Sequence, residues 1–69
     1  MKLKQQLEKV AGWVFVEIKQ NFKLLTNGKV CDLWKRIEHG DESITGLLNK
    51  TMGCIGWSKG SIVLNVYDR

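Results

Sequence analysis

A chain of 69 residues with a formal charge of +4, from 11 basic and 7 acidic residues, is long enough for one domain that buries only about 60% of its unfolded surface. Two cysteines and one histidine exclude a disulfide-dense scaffold and fall short of the ligands of a structural zinc site. No segment approaches the ~20 apolar residues of a membrane span, and MKLKQQLEK lacks the apolar run of a signal peptide. We therefore expect a cytoplasmic domain over residues 1–69, without metal or cofactor, stabilised as a homodimer.

The first two elements are predicted from hydrophobic spacing. Leu3, Leu7 and Val10 recur at helical intervals, which predicts a short amphipathic helix that ends at Gly12 and lies across a sheet. Residues 13–19 (WVFVEIK) alternate valine and isoleucine with other side chains. This alternation predicts a strand whose valines and isoleucine face the helix.

The segment FKLLTNGKVCDLW contains Asn27-Gly28, the strongest short-range hairpin signal in the chain. A type I′ turn needs positive φ at both central residues, which asparagine and glycine tolerate. We therefore expect two strands, Phe22–Thr26 and 29–33, joined at this turn. A tighter connection at Gln20-Asn21 would join them to the preceding strand as a meander.

Between Asp32 and Asn49 the periodicity weakens. We expect Asp32 to cap a helical turn through LWKRIEH, with Leu33, Trp34 and Ile37 inward and Gly40 as its stop. Asp41 or Ser43 could begin a second turn through ITGLLN.

The C-terminal part reads as a hairpin. We expect a strand over residues 50–57, a turn at 58–60 and a returning strand over 61–67. Gly53 and Gly56 would let a backbone or an aromatic ring approach closely, or mark a bulge. The predicted fold is α+β, with a short N-terminal helix packed on a four- to five-stranded antiparallel sheet built from hairpins.

Residues able to carry catalysis are few. A nucleophile, base and orienting acid could come from Cys31 or Cys54, His39, and one of Asp32, Asp41 and Glu42. No local signature surrounds either cysteine, so we expect no enzyme. A bridge between the two cysteines is geometrically possible, but we expect both to be reduced and half-buried.

Binding is therefore the favoured activity, and three kinds are open. The first is contact with a protein partner or a second copy through aromatic anchors, for which the candidates are Trp13, Trp34, Trp57 and Tyr67. The second is nucleic-acid binding by an aromatic sheet face with a basic edge drawn from Lys19, Lys23, Lys29, Lys35, Arg36 and Lys59. The third is a small-ligand pocket at a dimer seam near Gly53, Cys54 and Gly56.

The segments VFVEIK, LLTNGKVCDL and GSIVLNV, in this order after a short helix, resemble small accessory proteins of bacteriophages and mobile elements of Gram-positive bacteria. Some proteins of that kind inhibit host defence by blocking a nuclease complex or trapping a signalling nucleotide. The resemblance covers most of the chain as a pattern and implies binding rather than catalysis. It carries no site residues.

Overall fold

The computed structural model describes residues 1–68 and consists of short helices and a four-stranded sheet. The elements are α1 (Leu3–Glu8), β1 (Phe15–Gln20), β2 (Lys23–Lys29), α2 (Val30–Glu38), α3 (Glu42–Thr45), β3 (Thr51–Ser58) and β4 (Ser61–Tyr67). The strand order is β2-β1-β4-β3. The α+β class and the N-terminal helix are confirmed.

The sheet is mixed, so the prediction of a wholly antiparallel sheet is wrong. β1 and β4 are parallel, with Val16 beside Ile62 and Ile18 beside Leu64, whereas β1–β2 and β3–β4 are antiparallel hairpins. Parallel neighbours need a long connection. The helical segment between β2 and β3 supplies it: it carries the chain to the far edge, and β4 then returns to lie beside β1.

The predicted hairpin at Asn27-Gly28 is also wrong. Both residues lie inside β2, where Gly28 pairs with Val16. The chain reverses at Asn21 and Phe22, one residue beyond the predicted connection at Gln20-Asn21. Their φ angles of 53° and 65° are the two positive values of a type I′ turn.

Residues 30–33, predicted to lie in a strand after Asn27-Gly28, are helical. Val30, Leu33, Trp34 and Ile37 recur at the helical period, and Val30 and Leu33 are buried in α2. The helix begins at Val30, ahead of the predicted Asp32 cap. A helical period over these four apolar residues outweighs the turn preference of Asn27-Gly28, because burial of one helix face stabilises more than a local turn.

The predicted stop at Gly40 and cap at Asp41 are confirmed, whereas α1 ends at Glu8, before the predicted stop at Gly12. Gly40 has φ 82° and its N–H donates to the Ile37 carbonyl (3.0 Å), which ends α2. Asp41 then caps α3 by accepting a hydrogen bond from the Ser43 N–H (3.0 Å). The predicted β3–β4 hairpin is confirmed within one residue, with positive φ at Lys59 and Gly60.

All three helices pack on one face of the sheet. The core joins buried side chains of α1, α2 and α3 to the inward faces of the two central strands: Leu3, Leu7, Val16, Ile18, Val30, Leu33, Ile44, Leu64 and Val66. Among residues 1–68, no polar or charged side chain is buried. The other face, here called the open face, carries no helix.

Candidate interaction surfaces

The four predicted aromatic anchors lie in four different settings. Trp34 is half-buried and packs against the core from α2. Trp13, in the turn before β1, is 77% exposed, and Trp57, near the end of β3, is 75% exposed. Tyr67 is half-exposed at the end of β4.

Trp57 and Tyr67 are on opposite faces of the sheet. Trp57 pairs with Ile62, whose side chain packs on the core, so Trp57 is on the helix side. Tyr67 is one residue beyond the buried Val66 and therefore faces the open side. An aromatic platform that includes both residues is not formed.

The six basic residues of the nucleic-acid alternative are likewise dispersed. Lys19 and Lys29 lie on the open face, where the Lys29 Nζ is 5.8 Å from the centroid of the Phe15 ring. The others are on β2 next to the turn, on α2 and in the β3–β4 turn: Lys23, Lys35, Arg36 and Lys59.

A carboxylate occupies the middle of the open face. Glu17 lies between Asn27 of β2 and Val63 of β4. A phosphate chain crossing this face would meet that negative charge. The open face is therefore a poor match to a nucleic-acid backbone, despite the overall charge of +4.

Both cysteines are free and exposed, so the expectation that they are half-buried is wrong. The Cys31 thiol lies 3.9 Å from Asp32 Oδ1, and His39 is at the C-terminal end of α2. Within residues 1–68, neither thiol is hydrogen-bonded to the imidazole, and no three His, Cys, Asp or Glu side chains are grouped as metal ligands would be.

The glycines of the small-ligand alternative do not open a pocket. A Cβ built on Gly53 would be 3.0 Å from Tyr67 Cε1, so the tyrosine ring already fills that space. Gly53 and Cys54 together stand opposite Asn65, as a bulge that the Asn65 side chain bridges by donating to the Cys54 carbonyl (3.2 Å). Gly53 thus has two of the roles predicted for these glycines, close approach of an aromatic ring and a place in a bulge.

An open groove runs between α1 and α2. Its floor consists of Leu7, Val10 and Trp34. Charges of both signs surround it, from Lys4, Glu8, Lys35 and Glu38. This mixed rim favours no particular class of ligand.

The turn between β1 and β2 is the most unusual part of the surface. We call residues 19–25 the hairpin tip. Phe22 is 99% exposed and has φ 65°, a left-handed backbone conformation that bulky side chains rarely adopt. Leu24 and Leu25 are 47% and 38% exposed, and Leu25 is the extra residue of a bulge between Thr26 and Leu24.

Phe22 costs stability and gains no burial in return. A non-glycine residue in the left-handed region lowers the stability of the fold by about 1 kcal/mol or more. Phe22 is the second central residue of the turn, a position that glycine usually occupies. The ring contacts almost nothing in the chain, so nothing in the fold offsets this cost.

The charge of the hairpin tip is positive. Lys19 and Lys23 are its only charged residues. The Gln20 Nε2 donates to Asp68 Oδ2 (2.9 Å), but that carboxylate is ion-paired with Lys50. The hydrogen bond from Lys50 and that from Gln20 lower the pKa of Asp68.

Phe22 is not among the residues predicted from the sequence to form a site. The available signal was Asn21, because asparagine tolerates positive φ, in QNFK between two alternating segments. The predicted connection at Gln20-Asn21 lies one residue ahead of the observed turn, and it places Phe22 in the following strand instead. Phenylalanine in the second turn position is not predicted by any turn preference.

No protein-family model matches the chain, and no match to it is found among the curated proteins or the solved structures. Within residues 1–68, none of the helices is long and apolar enough to cross a membrane.

Proposed function

We propose that this chain is a non-catalytic binding module that contacts a protein partner through the hairpin tip. One observation carries the proposal: Phe22 is 99% exposed in a backbone conformation that destabilises the folded chain. Strained residues of this kind concentrate where a ligand or partner is held. An aromatic ring presented on a rigid turn is also the usual form of a binding anchor, because little side-chain entropy is lost on docking.

The residues around Phe22 specify the chemistry of the partner. Leu24 and Leu25 add an apolar surround that would exclude water from the contact. Lys19 and Lys23 lie beside it without an acidic residue in the tip. The partner that fits is a protein with an apolar pocket for the ring and acidic side chains around that pocket.

The resemblance described above suggests the setting. An accessory protein of a phage or mobile element that acts by contact would block a host protein, such as part of a defence complex, by occupying its pocket. This setting is part of the proposal and adds no residue to the site.

The proposal is tested with three forms of the protein. Wild type, Phe22→Gly and Trp13→Ala would be immobilised and exposed to a lysate of a Gram-positive bacterium. Any protein retained by wild type but not by Phe22→Gly would be purified and titrated by calorimetry. Phe22→Gly relieves the strained turn, so this variant should remain folded, and circular dichroism would verify that it does. A loss of binding could then not be attributed to unfolding.

We expect Phe22→Gly to weaken the purified complex by at least about tenfold. Trp13→Ala, which removes another exposed ring outside the hairpin tip, should leave it unchanged. Equal binding by all three forms would refute the hairpin tip as the contact. Binding to vesicles that contain phosphatidylglycerol would indicate that the partner is a membrane and not a protein. Co-purified nucleic acid that is removed by salt would indicate that the partner is a nucleic acid.

A further inference from the structure

The two edges of the sheet differ in how they are protected against pairing with another strand. At one edge, β2 carries Lys23 and Lys29 and a bulge. Charged side chains and bulges are the usual means by which an edge strand avoids a partner. At the other edge, the eight residues of β3, TMGCIGWS, contain no charge. Of these two features, β3 has a bulge, at Gly53 and Cys54.

The N-terminus already covers the first part of β3. The Met52 N–H donates to the Met1 carbonyl (2.9 Å), and the Leu3 N–H donates to the Lys50 carbonyl (2.9 Å). Lys2 and Thr51 form an isolated antiparallel bridge. Within residues 1–68, the part of this edge that has no neighbouring strand is the segment from Cys54 to Ser58, which we call the free edge.

The free edge presents apolar side chains on the helix side of the sheet. Ile55 pairs with Leu64, and Trp57 pairs with Ile62; both partners belong to the core layer. Yet Ile55 is 52% exposed and Trp57 is 75% exposed. Between them, Gly56 has no side chain, and a Cβ there would meet only Val63 Cβ at 4.0 Å.

We propose that the free edges of two copies of this chain pair antiparallel about a two-fold axis through Gly56. In this register Ile55 of each copy stands opposite Trp57 of the other, on the helix side, and Cys54 stands opposite Ser58. The two four-stranded sheets become one continuous sheet of eight strands. Pairs of an aromatic and a β-branched side chain are among the most stabilising cross-strand contacts.

A second copy fits this edge better than an unrelated peptide, because the segment is self-complementary. One two-fold operation satisfies both Ile55–Trp57 contacts at once, as an isologous interface requires. Like-charge repulsion between two basic chains is avoided, since no charged residue lies between Cys54 and Ser58 and Lys59 would stand opposite Gly53. A domain of this size commonly gains stability from a partner subunit.

The test is the mass in solution of untagged protein, by light scattering coupled to size exclusion over a range of concentrations. Wild type should approach twice the 7.9 kDa chain mass, and Trp57→Lys should raise the dissociation constant at least tenfold. Trp13→Lys places the same charge at an equally exposed ring outside β3 and should leave the dimer intact. A wild-type monomer at the highest concentration reached would overturn the proposal.

The register is tested by a disulfide across the axis. In a background with both native cysteines changed to serine (Cys31→Ser and Cys54→Ser), Gly56→Cys places two thiols opposite each other, whereas Lys59→Cys does not. Mild oxidation should cross-link the first variant and not the second. A dimer that forms in Trp57→Lys, or that cross-links equally at both positions, would place the interface elsewhere. Phe22→Gly leaves the free edge unchanged, so failure of this dimer and failure of the hairpin-tip contact are separate results.

Discussion

The ring of Tyr67 lies against the backbone of Gly53 on the neighbouring strand. A Cβ at position 53 would be 3.0 Å from Tyr67 Cε1 and 3.2 Å from the Asn65 carbonyl oxygen. The carbonyl belongs to the central strand β4 and cannot easily move aside. The tyrosine ring thus occupies space that a side chain at position 53 would need.

Gly53→Ala should therefore lower the free energy of unfolding by about 1–3 kcal/mol, because the added methyl group overpacks this contact. Gly56→Ala is the matched control on the same strand, where the added Cβ has only an ordinary contact with Val63. There the free energy should stay the same or rise by up to about 1 kcal/mol, since alanine restricts the unfolded chain. Urea denaturation of both variants measures the difference, and equal effects would contradict it.

Phe22→Gly should raise the free energy of unfolding by about 0.5–1 kcal/mol. Glycine adopts positive φ without steric cost, and removal of a 99% exposed ring forfeits no burial. Phe22→Ala retains the Cβ and hence the strain, so it should show no such gain. If glycine proved less stable than phenylalanine at this position, the ring would have a structural role that its exposure does not reveal.

Leu64→Ala should cost about 2–5 kcal/mol, because this leucine is fully buried on a central strand and its loss leaves a cavity. In so small a domain that is a large share of the total stability. Leu24→Ala removes the same atoms from a half-exposed position and should cost less than about 1 kcal/mol. Thermal unfolding followed by circular dichroism compares the two, and similar costs would indicate that the core is centred elsewhere.

Acid should destabilise the fold partly through two carboxylates. Hydrogen bonds from Ser43 and Arg36 lower the pKa of Asp41, and those from Lys50 and Gln20 lower the pKa of Asp68, both from an ordinary value of 3.8. A carboxyl group whose pKa is lower in the folded than in the unfolded chain stabilises the folded state at pH values above the unfolded pKa. That stabilisation is lost as the pH falls through the folded-state pKa.

Unfolding free energy should therefore decline below about pH 4, and the decline should be shallower when both residues are changed to asparagine. Urea denaturation at a series of pH values provides the measurement. Parallel pH profiles for wild type and the double variant would show that these ion pairs do not contribute, as is common for exposed pairs.

The apolar core could be predicted from the sequence because it follows simple periods. The helical spacing of Leu3 and Leu7 and the alternation of Val16 and Ile18 each place buried residues correctly. The β3–β4 hairpin was also predictable, since Gly60 gives a local turn signal between two β-branched segments.

The parallel pairing of β1 with β4 was not predictable from local signals. It depends on where α2 and α3 carry the chain, and no neighbouring residues encode that path. Phe22 was missed for a related reason. Turn preferences describe what stabilises a chain, whereas this residue opposes them, so only its φ angle and exposure identify it.

The N-terminal residues run antiparallel along β3, with Met1 beside Met52 and Leu3 beside Lys50. Any polypeptide joined ahead of Met1 would continue in the same direction, toward the free edge at Cys54. Such a segment would be held near the free edge at a high effective concentration. It could therefore pair with the edge, in competition with a second copy, even if its intrinsic affinity were low. A segment fused before Met1 could therefore cap the edge that we propose pairs with a second copy.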